Sequence, residues 1–269
     1  MPQISLITDL LTRDPFLGMV KSKLYALLPQ AQVIDLSMGD TELDLISAVY
    51  ILKTGLTCFP PGSIHLVALQ NNTDRQILQH EWAPDAKRFL LCETASQFII
   101  TPDNGLVSLL GEDVRIYNLF YDNPEHSKFY LRDLFPHFAA ALSTSQNADS
   151  LGVLTTSYAR LTWPQPFVQG NVLKGQKIYE DAFGNLVTNI TKDMFMQACP
   201  KGRFEVILPG AIITQLHAYY YDVDLGQPLL LFNTAGYLEL AIRGQSAAAL
   251  LIPRSMGSNR FFQIHIHLL

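Results

Sequence analysis

"ISLITDLLTRDPFLGMVKSKLYALLPQAQVIDLS", residues 4–37, decides the fold. Its first five residues, "ISLIT", form a short apolar run of the kind that makes a buried strand. Asp14 and Pro15 then open a stretch with apolar positions at helical spacing, and Pro29 closes it. A second strand follows at 31–37, "AQVIDLS". The rhythm repeats outward: "DLISAVYILKTGLTCFP" (44–60) predicts a second helix and "SIHLVAL" (63–69) a third strand. Strand, helix, strand, helix, strand indicates an α/β layer with parallel pairing.

Further along, "RFLLCE" and "SQFIITP" (88–93 and 96–102) predict a hairpin, "NGLVSLL" (104–110) a short helix and "VRIYNL" (114–119) another strand. "RDLFPHFAAALST" (132–144) is amphipathic and predicts a helix despite Pro136. The composition changes at 159–172, "ARLTWPQPFVQGNV", where two prolines and a glycine without a clear period suggest a linker. Beyond it "GQKIYED", "NLVTNI", "RFEVIL", "QPLLLFN", "YLELAI", "AALLI" and "FFQIHIHLL" all read as strands, with "TKDMFMQACP" (191–200) a short helix among them. The expected architecture is an α/β N-terminal domain over 1–158, its mostly parallel sheet flanked by helices. A linker at 159–172 leads to a smaller all-β barrel or sandwich over 173–269.

Composition narrows the partners. The 269 residues are 48% hydrophobic but only 16% charged, and a surface poor in charge suits subunit contacts. The net charge is −5, with no basic stripe, which argues against nucleic acid. Three widely spaced cysteines, without a CxxC, imply no disulfide framework. No apolar run approaches the roughly 20 residues of a membrane span, and no leader pattern opens the chain. These features give the expectation of a cytoplasmic protein without membrane partners.

Several motifs carry two readings each. Asp9 and Asp14 follow the first strand, at the strand end where open α/β sheets usually bind ligands. Asp9 there would accept from ribose hydroxyls, whereas Asp14 equally suits a helix cap. "TPDNGLVSLL" (101–110) reads as a turn before a helix, and "PPGSIH" (60–65) as a turn. "DAFGNLVTNI" (181–190) reads as a hairpin turn built on Gly184 and Asn185, or as a binding edge carried on that turn. "HAYYYD" (217–222) reads as a packed or interface edge. "HIH" (265–267) is a weak metal pattern, and no metal site is expected. There is no P-loop, GxGxxG or nucleophile elbow.

Five stretches taken in order add a resemblance. "SLITDLLTRDPFLGMVKS", "FIITPDNGLVSLL", "FYLRDLFPHFAAAL", "IYEDAFGNLVTNI" and "NTAGYLELAI" are similar to the successive blocks of the S-adenosyl-L-methionine (SAM) hydroxide adenosyltransferases and the related SAM-dependent fluorinase and chlorinase. The resemblance implies an N-terminal α/β domain and a C-terminal β domain. It also implies a homotrimer with SAM held at the subunit boundary, as substrate and with no further cofactor. The implied reaction is displacement at the 5′ carbon of SAM, by water or hydroxide to give adenosine and L-methionine. It further implies that Asp9 holds the ribose hydroxyls and that Asp14 lies near the methionine end. Asp181 would face the methionine amine, Phe183 would stack on adenine and Asn185 would bond its edge. Thr234 takes a family serine position near the amino-acid end, with Gly236 and Tyr237 around it.

The nucleophile side departs from the family pattern. Gln70 stands where the hydrolytic members have Asp, and Arg75 matches the family Arg if the loop is shorter. Tyr130 replaces the family His, and Leu131 the Gly after it. Fluorinase-like members share the Tyr but follow it with Ser, and chlorinase-like members with Gly, so halide chemistry is not supported. Met38 and Leu43 also replace family residues. Gln70, Arg75 and Tyr130 are therefore the candidate groups for holding water, although Gln is a poor base. A non-catalytic binder of SAM or adenosine, and a structural trimer without a nucleoside site, are the competing expectations.

Overall fold

The computed structural model describes residues 1–37, 43–69, 88–111, 114–121, 129–252 and 262–269. Gln70, Arg75 and Met38 lie outside them. Two compact units are present, Met1–Thr162 and Trp163–Leu269.

In the first unit the opening stretch folds as β1 (Gln3–Thr8), α1 (Pro15–Leu27) and β2 (Gln32–Asp35). Pro15 sits in the first turn of α1, where its missing N–H is not needed. α2 (Leu45–Leu56) follows, its N-cap residue Asp44 accepting from the Ser47 amide at 2.7 Å. β3 (Ile64–Ala68), β4 (Phe89–Glu93), β5 (Phe98–Pro102), β6 (Arg115–Leu119) and β7 (Gly152–Leu154) complete a seven-stranded sheet of order β2-β1-β3-β5-β4-β6-β7.

β2, β1, β3 and β5 run parallel, but β4, β6 and β7 add antiparallel pairings. The sheet is thus mixed, not mostly parallel. The β4–β5 hairpin is the cause, since a short connection can only reverse the chain. The helix expected at 132–144 is two pieces, α3 (Tyr130–Asp133) and α4 (Phe135–Ser145). The restart at Phe135 puts Pro136 in the first turn of α4, where it is tolerated.

Alternate strand residues face opposite sides. Ile4, Leu6, Ile64, Leu66 and Ile100 share a core with Leu17, Val20 and Leu24 of α1 and with Phe135, Ala139 and Leu142 of α4. On the other face, Ser5 and His65 lie wholly buried near the end of α2. Ser5 Oγ is 2.7 Å from His65 Nδ1, and His65 Nε2 is 3.3 Å from Gln97 Oε1. Gln97 in turn donates to the carbonyls of Leu56 and Phe59. Burial lowers the His65 pKa to about 4, so the imidazole is neutral within this chain of polar groups.

The second unit holds β8 (Phe167–Gln169), β9 (Val172–Glu180), β10 (Leu186–Thr191), α5 (Lys192–Ala198), β11 (Phe204–Leu208), β12 (Ala211–Ile213), β13 (Pro228–Phe232), β14 (Tyr237–Ile242), α6 (Ala247–Leu251) and β15 (Gln263–Leu268). Its eight-stranded sheet is antiparallel along the order β12-β11-β15-β9-β10-β14-β13, with β8 on β9. A bridge between Leu216, just past β12, and Leu230 of β13 nearly closes it into a barrel. The unit is not all-β: "AALLI" belongs to α6, because Ser246 caps that segment by accepting from the Ala249 amide.

The stretch 159–172 is structured at both ends. Ala159 N–H donates to Asp103 Oδ1 at 2.8 Å, and Leu161 N–H to Ser108 Oγ at 2.8 Å. Arg88 donates to the Ser157 carbonyl just before it. Gly105 has φ +91°, and a Cβ there would meet Leu161 Cγ at 2.5 Å. The Pro-Asp-Asn-Gly turn therefore serves as the seat for the chain leaving the first unit. At the other end of the stretch, β8 pairs with β9.

Candidate functional site

The Asp181–Asn185 turn joins β9 to β10 and is built from its own side chains. Asp181 Oδ1 accepts from the amides of Phe183 (2.9 Å) and Asn185 (2.8 Å), and its Oδ2 from Asn185 Nδ2 (2.9 Å). Gly184 takes φ +79°, and a Cβ there would collide with Ser246 Oγ. Only glycine meets both conditions. The Gly184 carbonyl accepts from the Ala248 amide at 2.9 Å, which fastens the turn to α6.

Above this turn lies a cavity of about 510 Å³. Asp181, Phe183 and Asn185 line it together with Tyr220 and the Ile242–Ser246 turn. Phe183 is 80% exposed, although it is a large aromatic, whereas Asn185 is buried. With Asn185 Nδ2 bound to Asp181, its Oδ1 accepts nothing among the described residues. Tyr220 stands on a single 3-10 turn, Tyr220–Asp222. The Asp222 carboxylate holds that turn by accepting from the amides of Ala218 and Tyr219, both at 3.0 Å.

Sequence reasoning missed two residues here. Tyr220 was expected only as part of a packed or interface edge. Glu239 was not singled out at all, yet its carboxylate is buried under the cavity. It accepts from the Tyr220 hydroxyl at 2.6 Å and from Asn233 Nδ2 at 3.4 Å. Burial raises the Glu239 pKa, and the Asp181 charge adds to that; the bonds from Tyr220 and Asn233 work against it. One signal was available: an acid in the middle of the apolar run "YLELAI" is a buried polar group in need of a partner.

Residues 4–152 match the model of the SAM hydroxide adenosyltransferase N-terminal domain, and residues 175–254 that of its C-terminal domain. The chain belongs to the SAM hydroxide adenosyltransferase family. It is 23% identical over 266 residues to the (R)-S-adenosyl-L-methionine hydrolase of Methanocaldococcus jannaschii, covering 92% of this chain and 91% of that protein. The fold is shared with crystal structures of an uncharacterized conserved protein from Thermotoga maritima and a conserved hypothetical protein from Thermus thermophilus. Their TM-scores are 0.78 and 0.68, each at 24% identity, covering 98% and 100% of this chain and 99% and 100% of theirs.

The remaining candidates of this family member fall in two places. Thr234 is exposed at the tip of the β13–β14 hairpin and is not among the residues lining the cavity. Asp9, Asp14 and Tyr130 belong to the first unit. Asp9 is buried at the carboxyl end of β1. There the Ser37 hydroxyl accepts from the Thr8 amide and donates to the Thr8 carbonyl, tying the ends of β1 and β2. Asp14 occupies the N-cap position of α1 without capping it: its carboxylate takes no hydrogen bond among the described residues.

The Tyr130 ring packs 5.0 Å from that of Phe89 and 5.2 Å from that of Phe135. Leu131 is wholly buried in the core of its unit, so its bulk turns into the protein. Among the described residues no cluster of His, Cys, Asp or Glu suits a metal ion, and no helix is long and apolar enough to cross a membrane.

Proposed function

We propose that this chain cleaves SAM by displacement at the 5′ carbon, with water as the nucleophile. The carrying observation is the cavity over the Asp181–Asn185 turn, which has the size, flat aromatic lining and polar edge of a purine site. Phe183 and Tyr220 offer ring faces for stacking. Asn185 Oδ1, buried and without a donor among the described residues, suits an exocyclic amine. Asp181, whose Oδ2 keeps a lone pair beside its bond from Asn185, suits an ammonium group. Asp9 is the group for the ribose hydroxyls and Asp14 for the methionine end.

The reaction makes modest demands. The C5′–S bond breaks and the electron pair stays on sulfur, which leaves as a neutral thioether and needs no proton. The water oxygen bonds to C5′ and loses one proton to solvent, giving adenosine and L-methionine. In-line positioning and partial stripping of the water's solvation are what the protein has to supply. Gln70, Arg75 and Tyr130 are the proposed water-holding groups.

A second reading, binding without turnover, is favoured by the packing of the Tyr130 ring against Phe89 and Phe135. One experiment separates the two. SAM incubated with the protein and resolved by chromatography should give adenosine and methionine in equal amounts. No adenosine above the enzyme-free control removes the hydrolytic reading, and calorimetric binding of SAM in the same sample then supports the second. The trimer implied by the resemblance is a separate expectation, checked by sedimentation.

A further inference from the structure

We propose that Glu239 is a positioning residue, whose carboxylate sets the Tyr220 ring as a wall of the cavity. The inference rests on reading that cavity as a nucleoside site. Tyr220 is 45% exposed, and an exposed tyrosine on one short turn normally samples several rotamers. Here the backbone and the ring are held separately. Asp222 ties the turn at Ala218 and Tyr219. Arg243 Nη1 donates to the carbonyls of Val223 (2.6 Å) and Tyr221 (3.5 Å). None of these bonds restrains the Tyr220 side chain. Its hydroxyl goes to Glu239 Oε1 at 2.6 Å, a short bond to an acid that is 3% exposed.

Glu239 is itself fixed. It sits mid-strand on β14, opposite Val187 of β10 and Leu231 of β13. Its second oxygen lies 3.4 Å from Asn233 Nδ2. Asn233 Oδ1 in turn accepts from the amides of Ala235 and Tyr237 and shapes the hairpin tip. The charged and titratable groups facing the carboxylate are Tyr220 and Asp181. A buried acid with this environment gains little for the sheet on its own, since an apolar residue would pack as well. What it supplies is a strong acceptor below a ring that lines the cavity.

Positioning of this kind acts through the fraction of molecules competent to bind: an unheld ring lowers that fraction, and the apparent Kd rises in proportion. With three or so rotamers open to the ring, the loss is about three- to tenfold. Adenosine titrated calorimetrically into the full chain tests this. Tyr220→Phe removes the donor and keeps the ring; Glu239→Leu removes the acceptor at similar volume. Each should weaken binding about three- to tenfold, and the double variant should be no weaker than the weaker single, since both break one link. Glu239→Gln keeps an acceptor and should stay within about twofold of wild type.

Unchanged affinity in Tyr220→Phe, or losses that multiply in the double variant, overturns the proposal while leaving the nucleoside reading intact. If wild type binds neither adenosine nor SAM, the nucleoside reading fails and a ligand-free measurement decides the positioning. 3-Fluorotyrosine at Tyr220 should give one sharp 19F resonance in wild type and move to the value of an exposed tyrosine in Glu239→Leu. The same resonance in both proteins overturns it.

Discussion

The carboxyl edge of the first unit's sheet and the cavity of the second unit use polar and aromatic residues in opposite ways. At the sheet edge, Tyr130 and Leu131 stand where the family pattern has a water-holding His and a Gly, and both are engaged in packing. At the cavity, Phe183 is left in the open, Asp181 holds Asn185, and the buried Glu239 holds Tyr220. Substitution at the edge therefore acts first on stability, and substitution at the cavity first on binding. Among the described residues, Leu131 lies in the core and Tyr130 packs against it, whereas Phe183 stands out beside an open cavity.

The largest expected effect tests that division directly. Leu131→Gly restores the family residue but removes a wholly buried leucine from the core. The cost should be about 4 kcal/mol in urea unfolding, from lost burial, a cavity and helix propensity together. SAM cleavage in the folded fraction should be no faster. A variant of unchanged stability with faster cleavage would break the comparison, because it would show that the leucine obstructs chemistry.

His65 gives the next largest effect, again in the first unit. Its pKa is lowered from 6.5 to about 4 by burial, so the folded state binds its proton less readily than the unfolded chain. That stability is fully present above pH 6.5, falls as the pH drops toward 4 and is gone below it. The shift corresponds to about 3 kcal/mol. Urea unfolding at pH 7 and pH 4 measures it as the difference between wild type and His65→Gln, which cannot titrate. Equal pH dependence in the two proteins would remove His65 as the cause.

The sequence made some of this legible and hid the rest for physical reasons. β1, α1, β2, α2 and β3 were readable because long periodic runs lay between Asp-Pro and Pro-Pro-Gly punctuation. β7, β8 and β12 are three residues each, too short for any period to declare itself. α6 looked like a strand because a short, wholly apolar run has no periodicity; only the Ser246 cap gives it away. The Asp181–Asn185 turn was readable both as a turn and as a binding edge, but the cavity over it is also lined by Tyr220, from a 3-10 turn far along the chain. Glu239 showed only as an acid inside the apolar run "YLELAI"; its partner Tyr220, contributed from a separate 3-10 turn, left no local pattern.

In the second unit, Gly184→Ala combines a positive φ with a Cβ that collides with Ser246 Oγ. Moving Ser246 away should cost about 2 kcal/mol and detach the turn from α6. Adenosine affinity should fall by more than the loss of folded protein explains. Adding Ser246→Gly removes the obstructing side chain and should restore part of that affinity, leaving the backbone strain, a 3.1 Å approach to the Cα at 246 and the lost cap of α6. Affinity unchanged by Gly184→Ala would mean that the turn is structural alone.

Thr234→Ala carries the smallest expected effect and sharpens the boundary of the cavity. The Thr234 hydroxyl is exposed at the β13–β14 tip and makes no hydrogen bond among the described residues, so its loss should not move the melting temperature. It does not line the cavity that holds Phe183 and Asn185, so adenosine should bind as to wild type. SAM differs from adenosine in the amino-acid end, and the family position of Thr234 lies toward that end. One exposed hydroxyl bonding a charged group is worth about 1 kcal/mol, so SAM should bind about fivefold more weakly. Parallel calorimetric titrations of adenosine and SAM read the difference. Equal losses for both ligands would place Thr234 at the purine, and no loss for either would leave the methionine end to Asp181 and Asp14.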